Sequence, residues 1–132
     1  GKYRARKLFF SELLRFNERY LSELSYERRP LGSFLRETDH AGEFGKIIAA
    51  FREKRIVELN CNFLTREEKT EIENYFRQLG RGDAHTQTAY FSAQAGMLSG
   101  WKSASEKEAK VRTELYLKLG LLAGLALVVL VV

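Results

Sequence analysis

The C-terminal end of the chain is the feature that most constrains its fold. Its last 14 residues, 119–132, contain only Leu, Val, Ala and Gly. As a helix this run would be about 21 Å long, which is shorter than the hydrocarbon core of a bilayer at about 30 Å. Lys118 can extend its charged end to the headgroups and Tyr116 suits the membrane interface, so the effective span is longer than the run itself.

A helix that is apolar on every face must be buried on all sides or placed in lipid. A chain of 132 residues has little room to surround one helix completely. We therefore predict a C-terminal membrane helix over residues 119–132. Two alternatives stay open: a helix buried in the core or by a partner, and a cleaved lipid-anchor signal behind Ser103, Ala104 and Ser105. The residues predicted to lie in the membrane are Leu119, Gly120, Leu121, Leu122, Gly124, Leu125, Leu127, Val128 and Leu130.

The positive charge of the chain is concentrated near its start. Residues 1–36 contain nine Lys and Arg against four Glu, and this excess of five equals the net charge of the whole chain. Beside a membrane helix, the densest basic group would contact anionic lipid. That group is Lys2, Arg4, Arg6 and Lys7. It lies at the very start of the chain and not on a face with base-reading side chains, so we do not predict nucleic-acid binding.

The residues before the apolar run predict its orientation, and two glycines within it predict a contact with another membrane helix. The basic residues that precede the run place the soluble part in the cytoplasm by the positive-inside rule. Within the run, the spacing of Gly120 and Gly124 lets another membrane helix approach closely, so a homo-oligomer is one expected outcome. The basic residues are Lys107, Lys110, Arg112 and Lys118.

Hydrophobic spacing elsewhere predicts an all-helical protein. Apolar residues recur every three to four positions, and strand alternation does not persist. We predict an antiparallel bundle of about five to six helices over residues 1–118, whose long last helix continues into the membrane segment. Helices are expected over residues 3–27, 31–37, 42–55, from Thr65 with its capping partner Glu68, and from Asp83 onward.

Two details of this bundle are predicted from local pattern. The last helix carries a stripe of seven residues at spacings near 3.5, interrupted at Glu108, and Gly96 and Gly100 are expected to mark a tight helix crossing. The acidic start of the fourth helix, which includes Glu68, is expected to complement the helix dipole and face solvent. The stripe is Tyr90, Ala93, Met97, Trp101, Ala104, Val111 and Leu115.

The residues that usually carry catalysis or bind metals are sparse. Cys61 is the single cysteine, and His40 and His85 are isolated in the sequence, where a surface capping role is expected. Gly45-Lys46 lacks the Ser or Thr and the earlier glycine of a P-loop. We therefore predict no catalytic residue, no metal site, no cofactor and no enzyme activity.

Two groups of residues carry a resemblance to a known family. The first is Leu79-Gly80, Asp83 and Gln87, followed by Lys118-Leu119-Gly120, Leu122, Gly124 and the terminal Leu/Val run. The second is Tyr20, Leu21, Glu23 and Leu24, followed by Pro30-Leu31. In these positions the chain resembles the stage III sporulation protein AB family of endospore-forming bacteria. It departs from the family pattern at Arg29, where a small or hydroxyl residue is common, and at Ala49-Ala50-Phe51, where a tryptophan is common.

The resemblance implies a role in assembly. The family looks like the inner-membrane platform component of type II secretion and type IV pilus machines, with a cytoplasmic bundle of six helices. It implies a place on the mother-cell side of the membrane around the forespore, in a channel between the two cells. The implied partners are stage III sporulation protein AA, which resembles a secretion ATPase, and other channel components. It also implies an N-terminal membrane helix, which we expect to be missing from this chain because residue 1 is Gly.

We therefore predict a non-enzymatic membrane platform that docks the ATPase. The local positive excess makes Arg28, Arg29 and Arg36 the candidate partner-binding residues. The alternative is a tail-anchored helical adaptor or anionic-lipid-binding protein that has no ATPase partner.

Overall fold

The computed structural model describes residues 1–131, so Val132, the last residue of the predicted membrane helix, lies outside the described residues. Five α-helices follow one another, and this part of the chain contains no strand. The all-helical prediction and the long last helix are thereby confirmed. The helices are α1 (Lys2–Ser22), which continues into a π-helical turn (Glu23–Glu27), α2 (Leu31–Glu37), α3 (Gly42–Lys54), α4 (Arg66–Gln78) and α5 (Ala84–Val131).

Local sequence signals set the helix ends. The Thr65 hydroxyl accepts a hydrogen bond from the Glu68 backbone N–H at 3.1 Å, and the Thr65 N–H donates to the Glu68 carboxylate at 2.9 Å, which completes the capping box at α4. The Asp83 carboxylate accepts from the Thr86 N–H at 2.7 Å and so caps α5. Between α4 and α5, Gly80 has a φ of +76°, a left-handed conformation that favours glycine.

Helices α1 and α5 form an antiparallel pair that spans the bundle. The Asn17 amide donates to the Phe91 carbonyl at 3.0 Å, and the Phe10 and Trp101 rings lie 5.4 Å apart. Earlier residues of α1 therefore lie beside later residues of α5, and the start of α1 is next to the middle of α5. Helices α2, α3 and α4 close the core around this pair.

Aromatic side chains dominate the core. Phe16 is fully buried on α1, and its ring lies 5.6 Å from Phe34, 5.8 Å from Phe44 and 6.3 Å from Phe76. One residue thus contacts α2, α3 and α4 at once. Edge-on aromatic pairs contribute about 0.5–1.5 kcal/mol each beyond the burial of their area.

The sequence assigns the wrong inward face to much of α5. Tyr90, Met97 and Trp101 do pack against the core, but the other four residues of the predicted stripe are exposed. The buried positions of α5 include a polar and a small residue, which a search for apolar spacing misses; they are Gln87, Phe91, Leu98 and Ser105. The expected tight crossing is also wrong, because a Cβ added at Gly96 or Gly100 would meet nothing within 4 Å.

Candidate functional site

The second half of α5 leaves the bundle. Every residue from 110 to 131 is exposed, a stretch of 22 residues that is about 33 Å long as a helix. Its most apolar window of 18 residues has a mean hydropathy of 2.1, and none of that window is buried. This helix is therefore long and apolar enough to cross a membrane, since about 20 such residues span the hydrocarbon core.

The residues predicted to lie in the membrane occupy this projecting part of α5. Their large side chains are exposed, from 53% at Leu119 to 84% at Leu130. A Cβ added at Gly120 or Gly124 would meet nothing within 4 Å, so both glycines are open to a neighbour. The alternative of a helix buried in this domain's own core is therefore wrong for residues 119–131.

The end of the bundle where α5 projects is called the proximal end here. It consists of the start of α1, the start of α4 and residues 105–112 of α5. Arg6 joins all three, because its guanidinium donates to both Glu68 oxygens at 2.6 Å, to the Phe63 carbonyl at 2.7 Å and to the Glu108 carboxylate at 3.1 Å. Arg112 lies over the Tyr3 ring, 4.7 Å from its centre.

The environment of Glu68 corrects a prediction from the sequence. Its side chain is only 11% exposed and pairs with Arg6, so it does not face solvent. Burial opposes its ionisation, but hydrogen bonds from Arg6 and Thr65 outweigh burial, and the pKa of Glu68 is lowered. The same hydrogen bond to Glu68 raises the pKa of Arg6. This ion pair joins the start of α1 to the start of α4 at the proximal end.

The opposite end of the bundle is called the distal end. It contains the π-helical turn, α2 and the loop between α4 and α5. The Gly80 N–H donates to the Tyr20 hydroxyl and to the Gln87 side-chain oxygen, each at 3.1 Å. From Gln87 to Arg112 is 25 residues of one helix, so the two ends lie about 38 Å apart.

All three candidate partner-binding arginines lie at this distal end, but their surroundings differ. Arg28 and Arg36 are exposed, and Arg28 ends the π-helical turn with a φ of 52°. Arg29 instead donates to the Glu23 carboxylate at 2.6 Å, and the Glu23 side chain is only 3% exposed. A second ion pair joins Arg29 to Glu37. Hydrogen bonding from Arg29 lowers the pKa of Glu23, so Arg29 has a structural role in neutralising a buried carboxylate.

The sequence does not reveal a groove at this end of the bundle, which Leu31 of α2 and Gly80 of the distal loop help to line. It has a volume of about 490 Å³, with Leu31, Val57 and Leu79 among its lining residues. Its other lining residues include Arg55, Arg77 and Arg81, which α3, α4 and the following turn bring together. Sequence reasoning missed this group of arginines because Arg55 is 22 positions before Arg77, and only the packing of α3 on α4 brings the two together.

His40 and Cys61 are both buried, which fits a structural role for each. The His40 side chain is fully buried and its Nδ1 lies 2.7 Å from the Glu12 carboxylate, so the expected surface capping role is wrong. Burial lowers the pKa of His40 despite its carboxylate partner. Cys61 is buried, and burial raises the pKa of its thiol. Over residues 1–131, no group of three or more His, Cys, Asp or Glu side chains could hold a metal ion.

Comparison with known proteins identifies a family. The model of the family described as stage III sporulation protein AB matches residues 53–132, which is more than half of the chain. The matched part begins at the end of α3 and includes α4, the distal loop and all of α5. No curated protein and no solved structure matches the chain.

Proposed function

This chain belongs to the stage III sporulation protein AB family and is therefore a sporulation-related protein; from that premise we propose that it is a non-enzymatic membrane platform that docks a secretion-type ATPase. In this proposal the platform is part of a channel between mother cell and forespore. The expected partners are stage III sporulation protein AA and other channel components. The soluble part faces the cytoplasm of the mother cell.

The observation that carries this proposal is the separation of two features along α5. An apolar helix that can cross a membrane projects from the proximal end, and exposed arginines lie at the distal end, where Gln87 is about 38 Å from Arg112 along α5. A soluble ATPase can reach the distal end without meeting the bilayer. The basic residues before the apolar run favour a cytoplasmic domain, since Lys and Arg accumulate on that side of membranes.

The contacts at the distal end refine the candidate dock. Arg28 and Arg36 have exposed side chains, which suits recognition of an acidic surface. Arg29 is a poor candidate for direct contact because it neutralises the buried Glu23 carboxylate. Both exposed arginines lie outside the segment that the family model matches, so the proposed contact rests on this chain's own geometry.

The test is a binding measurement between the full chain in lipid nanodiscs and the sporulation ATPase of the same organism. We expect saturable binding that weakens on the order of tenfold in the double variant Arg28→Glu, Arg36→Glu, because exposed interface charges contribute about 0.2–1 kcal/mol each and reversal adds repulsion. The control is Lys46→Glu with Arg66→Glu, two exposed basic residues outside the distal end. Arg29 stays unchanged, so that the fold is not disturbed.

The outcomes test the dock and separate the two functions. Binding that is lost in the arginine variant and kept in the control supports the platform and locates the dock. Equal binding by both variants refutes this dock. No binding by the unchanged chain at tens of micromolar favours the alternative, a tail-anchored adaptor or lipid-binding protein without an ATPase partner.

A further inference from the structure

A groove at the proximal end brings together basic residues from the two ends of the chain. It lies between the first turn of α1 and residues 107–112 of α5 and has a volume of about 560 Å³. Lys2 and Tyr3 line one side, and Lys107, Val111 and Arg112 line the other. These two sets of residues are more than 100 positions apart in sequence, and only the antiparallel packing of α1 on α5 joins them.

Three of the basic groups in this groove are available to an external anion. Arg6 and Glu108 also line the groove, but they pair with each other, and Arg6 is further held by Glu68. Lys2, Lys107 and Arg112 form no ion pair with an acidic side chain of residues 1–131. The groove therefore presents three positive charges that its own acidic residue does not neutralise.

The position of the groove along α5 places it at a membrane surface. Arg112 is seven residues before Leu119, which is about 10 Å along the helix axis. The headgroup region adds about 5–8 Å to each side of the hydrocarbon core, and charges act over about 10 Å at 0.1 M salt. With α5 across a bilayer, Arg112 lies within reach of lipid phosphates. Lys107 is twelve residues before Leu119, about 18 Å along the axis, so it acts on the phosphates through its charge.

An apolar track leads from the groove toward the membrane. Val111, Leu115 and Leu119 are four residues apart and so lie on one face of α5. All three are exposed, by 60%, 45% and 53%. Leu115 and Leu119 lie between Arg112 and the apolar run, so this surface is basic at one end and apolar toward the membrane. It matches a phospholipid, whose phosphate carries the charge and whose acyl chains are apolar. A soluble acidic polymer would leave this apolar track uncovered.

We propose that the groove binds the headgroup of an anionic phospholipid, with Arg112 contacting the phosphate, Lys2 and Lys107 adding positive charge around it, and an acyl chain packing along Leu115 and Leu119. This goes beyond the docking of an ATPase, because it concerns the opposite end of the bundle and a different ligand. Its consequence is that bound lipid fixes the angle at which the bundle meets the membrane.

The test is native mass spectrometry of the full chain released from mixed nanodiscs of phosphatidylglycerol and phosphatidylcholine. We expect the unchanged chain to retain phosphatidylglycerol preferentially. A basic residue near an anionic surface changes the equilibrium about fivefold, so Lys2→Gln, Lys107→Gln and Arg112→Gln together should reduce this preference on the order of 100-fold. The matched control replaces Lys46, Lys54 and Arg81 with Gln, because all three are exposed and lie outside the groove.

A second variant separates charge from fold. Arg112→Lys keeps the positive charge, so we expect it to retain phosphatidylglycerol about as well as the unchanged chain. Helix content of every variant is compared by circular dichroism. The proposal is overturned if the unchanged chain retains both lipids equally, or if the groove variant and the control variant lose the same amount of phosphatidylglycerol.

Discussion

Replacing Arg6 with Met should strongly lower the free energy of unfolding. The sequence places Arg6 in a basic cluster of the kind that usually faces solvent, but its side chain is only 14% exposed. The Met side chain keeps the apolar stem over the Phe10 ring, where the guanidinium carbon now lies 4.8 Å from the ring centre. It removes the hydrogen bonds to Glu68, to the Phe63 carbonyl and to Glu108. The main consequence is that the Glu68 carboxylate stays buried without its cation.

The expected cost follows from that buried charge. Removing one partner of a buried ion pair costs about 3–5 kcal/mol. The side chains of Arg6 and Glu68 are 14% and 11% exposed, and Glu68 keeps its hydrogen bond from the Thr65 N–H, so we expect the lower end of that range, about 3 kcal/mol. Arg4→Met is the matched control, because Arg4 is exposed and such surface changes cost within about 0.5 kcal/mol.

The cost should also depend on pH. In the unchanged chain the pKa of Glu68 is lowered on folding, so its stabilising contribution is present above the unfolded pKa of about 4.3 and is lost as the pH falls through the lower folded value. In Arg6→Met, burial without a cation favours the neutral acid and raises this pKa. The penalty is then present at neutral pH and fades as protonation removes the buried charge. The two chains should therefore differ more at pH 7 than at pH 4.

Urea unfolding of the full chain in a mild detergent, followed by circular dichroism at both pH values, measures this difference. A cost below about 1 kcal/mol at pH 7 would contradict a buried pair. A cost that is the same at both pH values would show that lost packing, and not the Glu68 charge, is responsible. A comparable cost in Arg4→Met would show a general effect of removing positive charge.

Three further predictions use the same chain in detergent or membranes. Gly96→Ala should raise the free energy of unfolding in urea by about 0.5–1 kcal/mol, because glycine is unfavourable inside a helix and the added methyl meets nothing. Gly45→Ala should lower it, because the added Cβ would overlap the His40 carbonyl oxygen. Equal effects of the two substitutions would contradict the packing described here for these glycines. Leu125→Arg should reduce resistance to carbonate extraction from membranes, since a central arginine costs about 2.5–3.5 kcal/mol to insert, and unchanged extraction would argue against a membrane position. The lowered pKa of Glu23 contributes stability above the unfolded value of about 4.3, and this stability is lost as the pH falls. Arg29→Gln should remove that part of the acid sensitivity of unfolding. An unchanged pH profile would show that the Arg29–Glu23 pair is not the source of the acid sensitivity.

The helices and the apolar projection could be predicted because their causes are local. The capping box of Thr65 and Glu68 joins residues three positions apart, and the Pro30 that starts α2 acts on its immediate neighbours. The apolar character of residues 119–132 is a property of composition alone. Each of these signals lies within one turn or one run of the chain, so it is readable without knowing what packs against it.

The tertiary structure decided what the polar residues do. Asn17 lies on the apolar stripe of α1, and only the fold shows that it donates to the Phe91 carbonyl and accepts from the Tyr75 hydroxyl. Arg6 and Glu68 are 62 positions apart, and each resembles a solvent-facing residue in its own helix. Burying a polar side chain costs free energy unless a partner supplies its hydrogen bonds, and for Asn17 and Arg6 those partners lie 57 to 102 positions away and are set by how α1 packs on α4 and α5.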